Sequence, residues 1–212
     1  MWHKLKSSFL LGIVVALGGC QSLPDDNAPV TGPSLTAEQW SRQKAYLVDV
    51  QNYLSRGSMV LDLLPRTSYG SNTNTRGSAS YVYSADGAGY VFAVTHSVAG
   101  MLLKIKRGSS GIELTDSDGN RHEFRTEQSF NDAVKIPVSR IPYWIMGVAM
   151  GDESVVRYDQ EGRLNYAESM GWKIRYYEYA NFGTLVMPRS LKLENSAVGS
   201  IVITVDEWEF RL

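Results

Sequence analysis

The stretch GSASYVYSADGAGYVFAVTHSVAGMLLKIKR, residues 77–107, alternates large and small side chains along much of its length. Tyr81 and Tyr83 are separated by one residue, and Asp86-Gly87 divides this run from the next one. A period of two is typical of a strand with one buried face, and Asp-Gly favours a tight hairpin turn. The stretch therefore predicts consecutive strands of an antiparallel sheet.

The same period recurs on both sides of this stretch. Short strands are predicted at Ser58–Leu64, Gly77–Ser84, Gly89–Val94, Leu102–Arg107, Gly111–Thr115, Arg121–Arg125, Ser154–Asp159, Leu164–Ser169, Trp172–Tyr179, Thr184–Met187, Leu191–Glu194 and Ser200–Trp208. Because hairpins can join nearly all of them, the pattern predicts an antiparallel barrel or a strongly curved sheet. Residues Pro65–Arg76 are rich in Ser, Thr, Asn and Gly, and they predict an extended hairpin loop.

One amphipathic helix is predicted before the sheet. Thr36, with Gln39 three residues later, is the signature of a capping box. Apolar side chains then recur with helical spacing as far as Leu54. We expect a helix over about Ala37–Leu54, ended by Gly57.

Two shorter helices are predicted in the middle of the chain. Thr126 is expected to cap Glu127–Val134. Ser139 is expected to cap the second helix, whose apolar face carries Ile141, Trp144, Ile145 and Val148. The chain is therefore predicted to be mainly β with a few helices.

The N-terminus has the layout of a secretory signal. A short basic head precedes the apolar run Phe9–Leu17, which is too short to span a bilayer, and Gly18-Gly19-Cys20 follows. The run before Cys20 resembles the bacterial lipobox, whose cysteine thiol receives diacylglycerol before the signal is removed. The alternative is an ordinary secretory signal peptide in which the cysteine occurs by chance and is not acylated. Because Cys20 is the one cysteine of the chain, we expect residues 1–19 to be removed and Cys20 to be acylated.

Charge and composition limit the classes of partner. Removal of residues 1–19 takes away two lysines and no acidic residue, so the formal charge falls from −1 to −3. This balance argues against nucleic acid as a partner and against polybasic attachment to anionic lipid. Residues 20–35, with three prolines, are expected to be a polar tether, and residues 36–212 to be one domain.

The sequence offers no arrangement typical of an enzyme or a metal site. His96 and His122 fall on different predicted elements, and no cluster has metal-ligand spacing. The adjacent carboxylates Asp152-Glu153 are interpreted as solvated surface. We expect neither a catalytic residue, nor a metal, nor a cofactor.

The aromatic content of the sheet and helices is one candidate functional feature. Two interpretations follow from it: a packed core, or the lining of an apolar cavity for one ligand. The candidate cavity residues are Trp40, Tyr81, Tyr83, Tyr90, Phe92, Trp144, Ile145 and Trp172.

The predicted hairpin after Val94 is the other candidate. Turns usually expose polar residues, yet Val98 and Met101 lie near the tip of this one. Either the turn is buried against the core, or it presents an apolar tip to its surroundings. The candidate tip residues are His96, Ser97, Val98, Ala99, Gly100 and Met101.

A series of short motifs resembles the LolB family of lipoproteins, and their order is more specific than any one of them. In chain order they are Ile136-Pro137-Val138-Ser139, Trp144-Ile145-Met146-Gly147, Gly151-Asp152, Tyr158-Asp159, Arg163-Leu164, Trp172-Lys173-Ile174, Met187-Pro188, Leu191-Lys192-Leu193 and Val205-Asp206-Glu207-Trp208. The resemblance implies an unclosed antiparallel β-barrel, with helices covering an apolar cavity. It also implies a protruding loop with an exposed leucine, in whose place this chain has Val98. The family's cavity aromatics correspond best to Trp144 and Trp172.

The same resemblance implies a role in lipoprotein transport. A family member is anchored in the outer membrane by its N-terminal acyl chains, accepts lipoproteins from the periplasmic carrier LolA, and inserts them into that membrane. The expected partners are LolA, acylated cargo and the membrane, and the chain is expected to be a monomer. Gln21 is not the aspartate associated with inner-membrane retention. Two alternatives are a structural or assembly lipoprotein with a packed core and a carrier of free lipid.

Overall fold

The computed structural model describes residues 25, 28–64 and 75–211. Its helices are α1 (Ala37–Asp49), α2 (Glu127–Val134) and α3 (Ile141–Met146). Its strands are β1 (Asn52–Leu63), β2 (Thr75–Asp86), β3 (Tyr90–His96), β4 (Gly100–Gly108), β5 (Gly111–Asp116), β6 (Arg121–Phe124), β7 (Val155–Tyr158), β8 (Leu164–Ser169), β9 (Trp172–Phe182), β10 (Leu185–Asn195) and β11 (Gly199–Phe210). Within these ranges, no helix has the length and hydropathy that crossing a bilayer requires.

Three predictions fall largely or wholly outside this part of the chain. The signal over residues 1–19 and the acylation site Cys20 are not among the described residues. The loop predicted over Pro65–Arg76 also lies outside them, except at its end. There the prediction is wrong, because Thr75 and Arg76 already belong to β2.

The strands form one antiparallel sheet that does not close. The described strands are ordered β6-β5-β4-β3-β2-β1-β11-β10-β9-β8-β7, so β6 and β7 are the two edges. The chain from β6 to β7 contains α2 and α3, and it must therefore cross from one edge of the curved sheet to the other. The predicted unclosed antiparallel barrel is confirmed.

The core lies between the concave face of the sheet and the helices. Alternate residues of β3, among them Phe92, are buried, as period two requires. Phe130 of α2 and Ile145 of α3 are fully buried in the same apolar cluster. The helices thus cover the face on which the strands place their apolar side chains.

The predicted first helix is too long at its C-terminus. The capping box at Thr36 is present, but α1 ends at Asp49, and Val50 is already extended at ψ 121°. Tyr53 and Leu54 belong to β1, where they pair with Phe210 and Glu209 of β11. Strand pairing with the far end of the chain outweighs local helical periodicity.

Gly57, expected to end that helix, lies inside β1 at an irregularity in the pairing with β11. A Cβ at Gly57 would lie 2.0 Å from the carbonyl oxygen of Thr204 and 2.8 Å from Cε1 of Tyr81. Glycine is therefore required here by the close approach of a neighbouring backbone.

Two further predictions need correction. The strands predicted at Thr184–Met187 and Leu191–Glu194 are one strand, β10, whose pairing with β9 is irregular around Pro188 because proline has no N–H to donate. Ser139 does not cap α3: the N-cap is Arg140, without a side-chain hydrogen bond, and Val148 follows the helix. The predicted cap at Thr126 is confirmed.

The segment before α1 is bound to the sheet. β8 pairs with β9 only as far as Arg175, which leaves the edge of β9 unpaired by β8 beyond that residue. Thr31 binds there: its N–H donates to Tyr177 O at 2.9 Å, and its carbonyl oxygen accepts from the N–H of Tyr179 at 2.8 Å. The guanidinium of Arg163 donates to the carbonyl oxygens of Gly32 at 2.6 Å and Val30 at 3.1 Å. The C-terminal part of the predicted tether is therefore held on the domain.

The contact at Gly57 generates a stability prediction. Gly57→Ala should lower the free energy of unfolding by about 1–3 kcal/mol, because the added methyl group overpacks the β1–β11 contact. Gly77→Ala in β2 is the matched control, since a Cβ there meets no atom within 4 Å; it should change stability by no more than about 0.5 kcal/mol. Urea unfolding of both variants measures the difference, and equal effects would contradict the packing argument.

Candidate functional site

The β3–β4 hairpin ends in an exposed apolar tip. Val98 is 89% exposed, and Ser97 and Ala99 beside it are also exposed. Nδ1 of His96 accepts hydrogen bonds from the backbone N–H of Val98 at 3.2 Å and of Ala99 at 3.1 Å. These bonds fold the turn back on His96 and leave the Val98 side chain pointing to solvent. The interpretation in which this turn is buried against the core is therefore excluded.

The base of the same hairpin is anchored in the core. Phe92 of β3 lies opposite Ile105 of β4, and both are buried. Nearer the tip the pairing shifts between Val94 and Thr95, and Met101 is 36% exposed. Gly100 begins β4 at φ +77°, a conformation that glycine adopts without strain. The tip is thus carried on a hairpin that is fixed at one end and solvated at the other.

Seven of the eight candidate cavity residues are buried in the common core. Trp144 of α3 and Trp172 of β9 lie with ring centroids 6.4 Å apart. The hydroxyl of Tyr176 donates to the carbonyl oxygen of Trp144 at 3.0 Å, which ties α3 to β9. The buried members are Tyr81, Tyr83, Tyr90, Phe92, Trp144, Ile145 and Trp172.

Trp40 lies apart from the tryptophan pair. Its indole Nε1 donates to Glu161 O at 2.9 Å, and its ring makes an edge contact with Tyr179 at 5.9 Å. It is half-buried and packs beside Gly162. Trp40 therefore covers the edge of the core near the β7–β8 turn.

The aromatic side chains of β2 and β3 form a second group. The ring of Tyr83 lies 5.4 Å from Tyr90 and 5.8 Å from Phe92, measured between centroids. Tyr53 of β1 stacks on Tyr83 at 6.0 Å and 12°, and Trp208 of β11 lies 6.0 Å from Tyr53. The sequence prediction missed Tyr53 because it placed this residue in a helix, whereas Tyr53, Leu54 and Ser55 are consecutive buried residues of β1.

Burial keeps these phenols protonated. Loss of hydration raises the pKa of Tyr53, Tyr83 and Tyr90 above the usual range of tyrosine. Nearby phenols add to this effect at Tyr53 and Tyr83, and the carboxylate of Glu127 adds to it at Tyr90. The group therefore offers hydrogen-bond donors, and not anions, at physiological pH.

Two clefts in the described residues lie away from the candidate residues. Clefts of about 480 and 540 Å³ occur in the described part of the chain, one between residues 28–30 and Arg157, the other beside Asp49 and Arg211. None of the eight candidate residues lines either cleft. The aromatic side chains are instead in contact with one another.

The two histidines of the domain have structural contacts. His96 accepts the hydrogen bonds of its own turn, and Nε2 of His122 lies 3.2 Å from a carboxylate oxygen of Asp116. Among the described residues, no group of three His, Cys, Asp or Glu side chains could hold a metal ion. Asp152, predicted as plain surface, forms an ion pair of 2.6 Å with Arg140, and Glu153 accepts from the N–H of Met150 at 2.8 Å.

Comparison with known proteins identifies the family. A sequence profile described as "Outer membrane lipoprotein LolB" matches residues 65–208, which is more than half of the chain. Relatives named "Outer-membrane lipoprotein LolB" also match, and three of them illustrate the similarity. The protein of Actinobacillus pleuropneumoniae serotype 3 is 22% identical, covering 98% of this chain and 99% of its own length. That of Glaesserella parasuis serovar 5 is 24% identical with the same coverage, and that of Haemophilus ducreyi is 26% identical, covering 97% and 99%.

One solved structure also aligns along most of the chain. It is a DUF1329 family protein from Desulfovibrio piger, with a TM-score of 0.46 and 10% identity, covering 86% of this chain and 95% of that chain. The sequence match is independent of this structural similarity. It includes the tip hairpin, α3 and the strands that bury the aromatic side chains. On that match the chain belongs to the LolB family of outer membrane lipoproteins.

Proposed function

We propose that this chain accepts lipoproteins from the periplasmic carrier LolA and inserts them into the outer membrane. The observation that carries the proposal is the apolar tip, where Val98 is 89% exposed at the end of a hairpin whose base is buried. Transfer of such an exposed apolar side chain from water into a bilayer lowers the free energy of the system. The acylated Cys20 would keep the domain at the membrane while the tip does so.

Acyl chains explain why a protein is needed for this transfer. A chain of about 15 methylenes resists exposure to water by roughly 12 kcal/mol, at about 0.8 kcal/mol per methylene. Free passage through an aqueous compartment is therefore negligible. An apolar interior that replaces the bilayer removes this barrier, and the last step into lipid is downhill.

Loading requires the helices to move, because the candidate cavity residues are packed together. α3 has only six residues, and one buried hydrogen bond from Tyr176 to Trp144 O ties it to β9. Its N-cap residue Arg140 forms an ion pair with Asp152 at the protein surface. The side chains of its Arg140–Asp152 ion pair are 32% and 38% exposed, so water can replace this pair at little cost. We therefore infer that displacement of α3 from β9 opens the space that an acyl chain occupies beside Trp144 and Trp172.

The bound N-terminal segment limits how far the domain can move from the membrane. Thr31 is hydrogen bonded to β9 and Val30 to Arg163, so the chain is bound to the domain from Val30 onward. The ten peptide links from Cys20 to Val30 span at most roughly 36 Å. An acyl anchor at Cys20 would thus limit the distance between the domain and the headgroups.

The tip generates the main test of the proposal. Val98→Glu should accept cargo from LolA normally but insert it into liposomes at least about tenfold more slowly, because a valine worth about 1.5–3 kcal/mol in lipid is replaced by a charge. Val82→Glu is the matched control: Val82 is also surface-exposed, at 39%, but lies on β2. Acceptance and insertion are measured separately with a purified acylated cargo. Normal insertion by Val98→Glu would refute the role of the tip.

The interior generates a second test. A bromine-labelled fatty acid should quench the tryptophan fluorescence of the wild-type domain, and the quenched fraction should fall more in Trp144→Phe and Trp172→Phe than in Trp40→Phe. The reason is that Trp40 lies at the edge of the core, hydrogen bonded to Glu161 O, and so away from the bound fatty acid. Absence of quenching would favour a structural lipoprotein with a packed core. Transfer of phospholipid without transfer of lipoprotein would favour a carrier of free lipid.

A further inference from the structure

Four aromatic side chains with polar tips form a continuous row across the middle of the sheet. Tyr90, Tyr83, Tyr53 and Trp208 come from β3, β2, β1 and β11, and we call them the tyrosine row. Successive ring centroids are 5.4, 6.0 and 6.0 Å apart. The row is thus one connected surface within the apolar interior.

Both ends of the tyrosine row carry a donor without an acceptor. Within the described residues, the hydroxyl of Tyr90 and Nε1 of Trp208 are buried and have no hydrogen-bond partner. Between them, the rings of Tyr53 and Tyr83 stack on each other at 6.0 Å and 12°. A buried donor left unpaired costs free energy that a phenylalanine at position 90 would avoid.

Other buried tyrosines of the domain do not share this feature. The hydroxyl of Tyr81 bonds that of Ser55 at 3.0 Å, and that of Tyr176 donates to Trp144 O at 3.0 Å. The hydroxyl of Tyr179 donates to Leu164 O at 2.9 Å. The described residues have other buried polar atoms without a partner outside the row, such as Oγ of Ser169, but the tyrosine hydroxyl in the whole set is that of Tyr90.

The row leads from the interior to the surface. Phe210 stacks on Trp208 at 5.4 Å and 8°, and Tyr46 of α1 contacts Phe210 at 6.2 Å. Tyr46 is 41% exposed. Tyr143 of α3 is half-buried and close enough to influence the titration of Tyr53 and Tyr83. A ligand with one apolar and one polar part would find both environments along this path.

We propose that the tyrosine row binds the ester carbonyl oxygens of the diacylglyceryl group on the cargo's N-terminal cysteine. This inference rests on the proposed function. An indole N–H can only donate, so the ligand group must accept, and ester carbonyls accept without donating. They also lie where acyl chains join the polar part of a lipoprotein. This matches a row that is buried at Tyr90 and leads from Trp208, through Phe210, to exposed Tyr46.

The test compares two probes that differ only in the carbonyl groups: a dipalmitoyl-S-glycerylcysteine peptide and its dialkyl ether analogue. Tyr90→Phe should bind the ester peptide about five- to tenfold more weakly than wild type, since one hydrogen bond is lost, and should bind the ether analogue as wild type does. Tyr158→Phe is the control, because Tyr158 is 52% exposed on β7; it should bind both probes normally.

Stability gives a second readout. Tyr90→Phe should not lower the free energy of unfolding, whereas Tyr81→Phe, which loses its bond to Ser55, should lower it. If Tyr90→Phe binds both probes as wild type does, or loses both equally, the tyrosine row is not an ester site and the proposed function stands. If wild type itself binds neither probe, both proposals fail.

Discussion

β1 and β11 pair along nearly their whole length, from Tyr53 with Phe210 to Leu63 with Gly199. Every other pairing joins strands that are neighbours in sequence, so each half of the sheet is a simple meander. The β1–β11 contact joins the two meanders into one sheet. Its tightest point is Gly57, where the backbone of β11 leaves no room for a Cβ. The helices can cover one continuous concave face only because this contact makes it continuous.

The sequence predicted the parts of this fold that depend on local patterns. Period-two alternation located most strands, and the side chains of Thr36 and Thr126 marked two helix starts. It failed at Tyr53 and Leu54, because their partner strand lies at the other end of the chain and local spacing fitted a helix equally well. Around Pro188 it divided one strand in two, because a bulge within a strand and a break between strands have the same sequence signal.

The candidate site likewise has features that the sequence predicted and features that it did not. Burial of the aromatic side chains followed from their alternation, but the contacts among them did not. The exposure of Val98 could not be predicted from the composition of the turn, since it depends on His96 accepting two backbone N–H groups. The unpaired donors at Tyr90 and Trp208 are a property of the assembled sheet, and no sequence pattern reports them.

The open edges of the sheet bear directly on how cargo would leave. A folded protein attached to acyl chains cannot be threaded through a closed barrel, whereas a sheet with two free edges lets the chains leave sideways once the helices part. Free edges favour aggregation, and short charged strands limit this risk. β6 and β7 have four residues each, and charged side chains such as Arg121, Glu123 and Arg157 lie on them. Pairing β6 with β7 would protect the edges further, but under the proposed function it would also close the path from the interior to the bilayer.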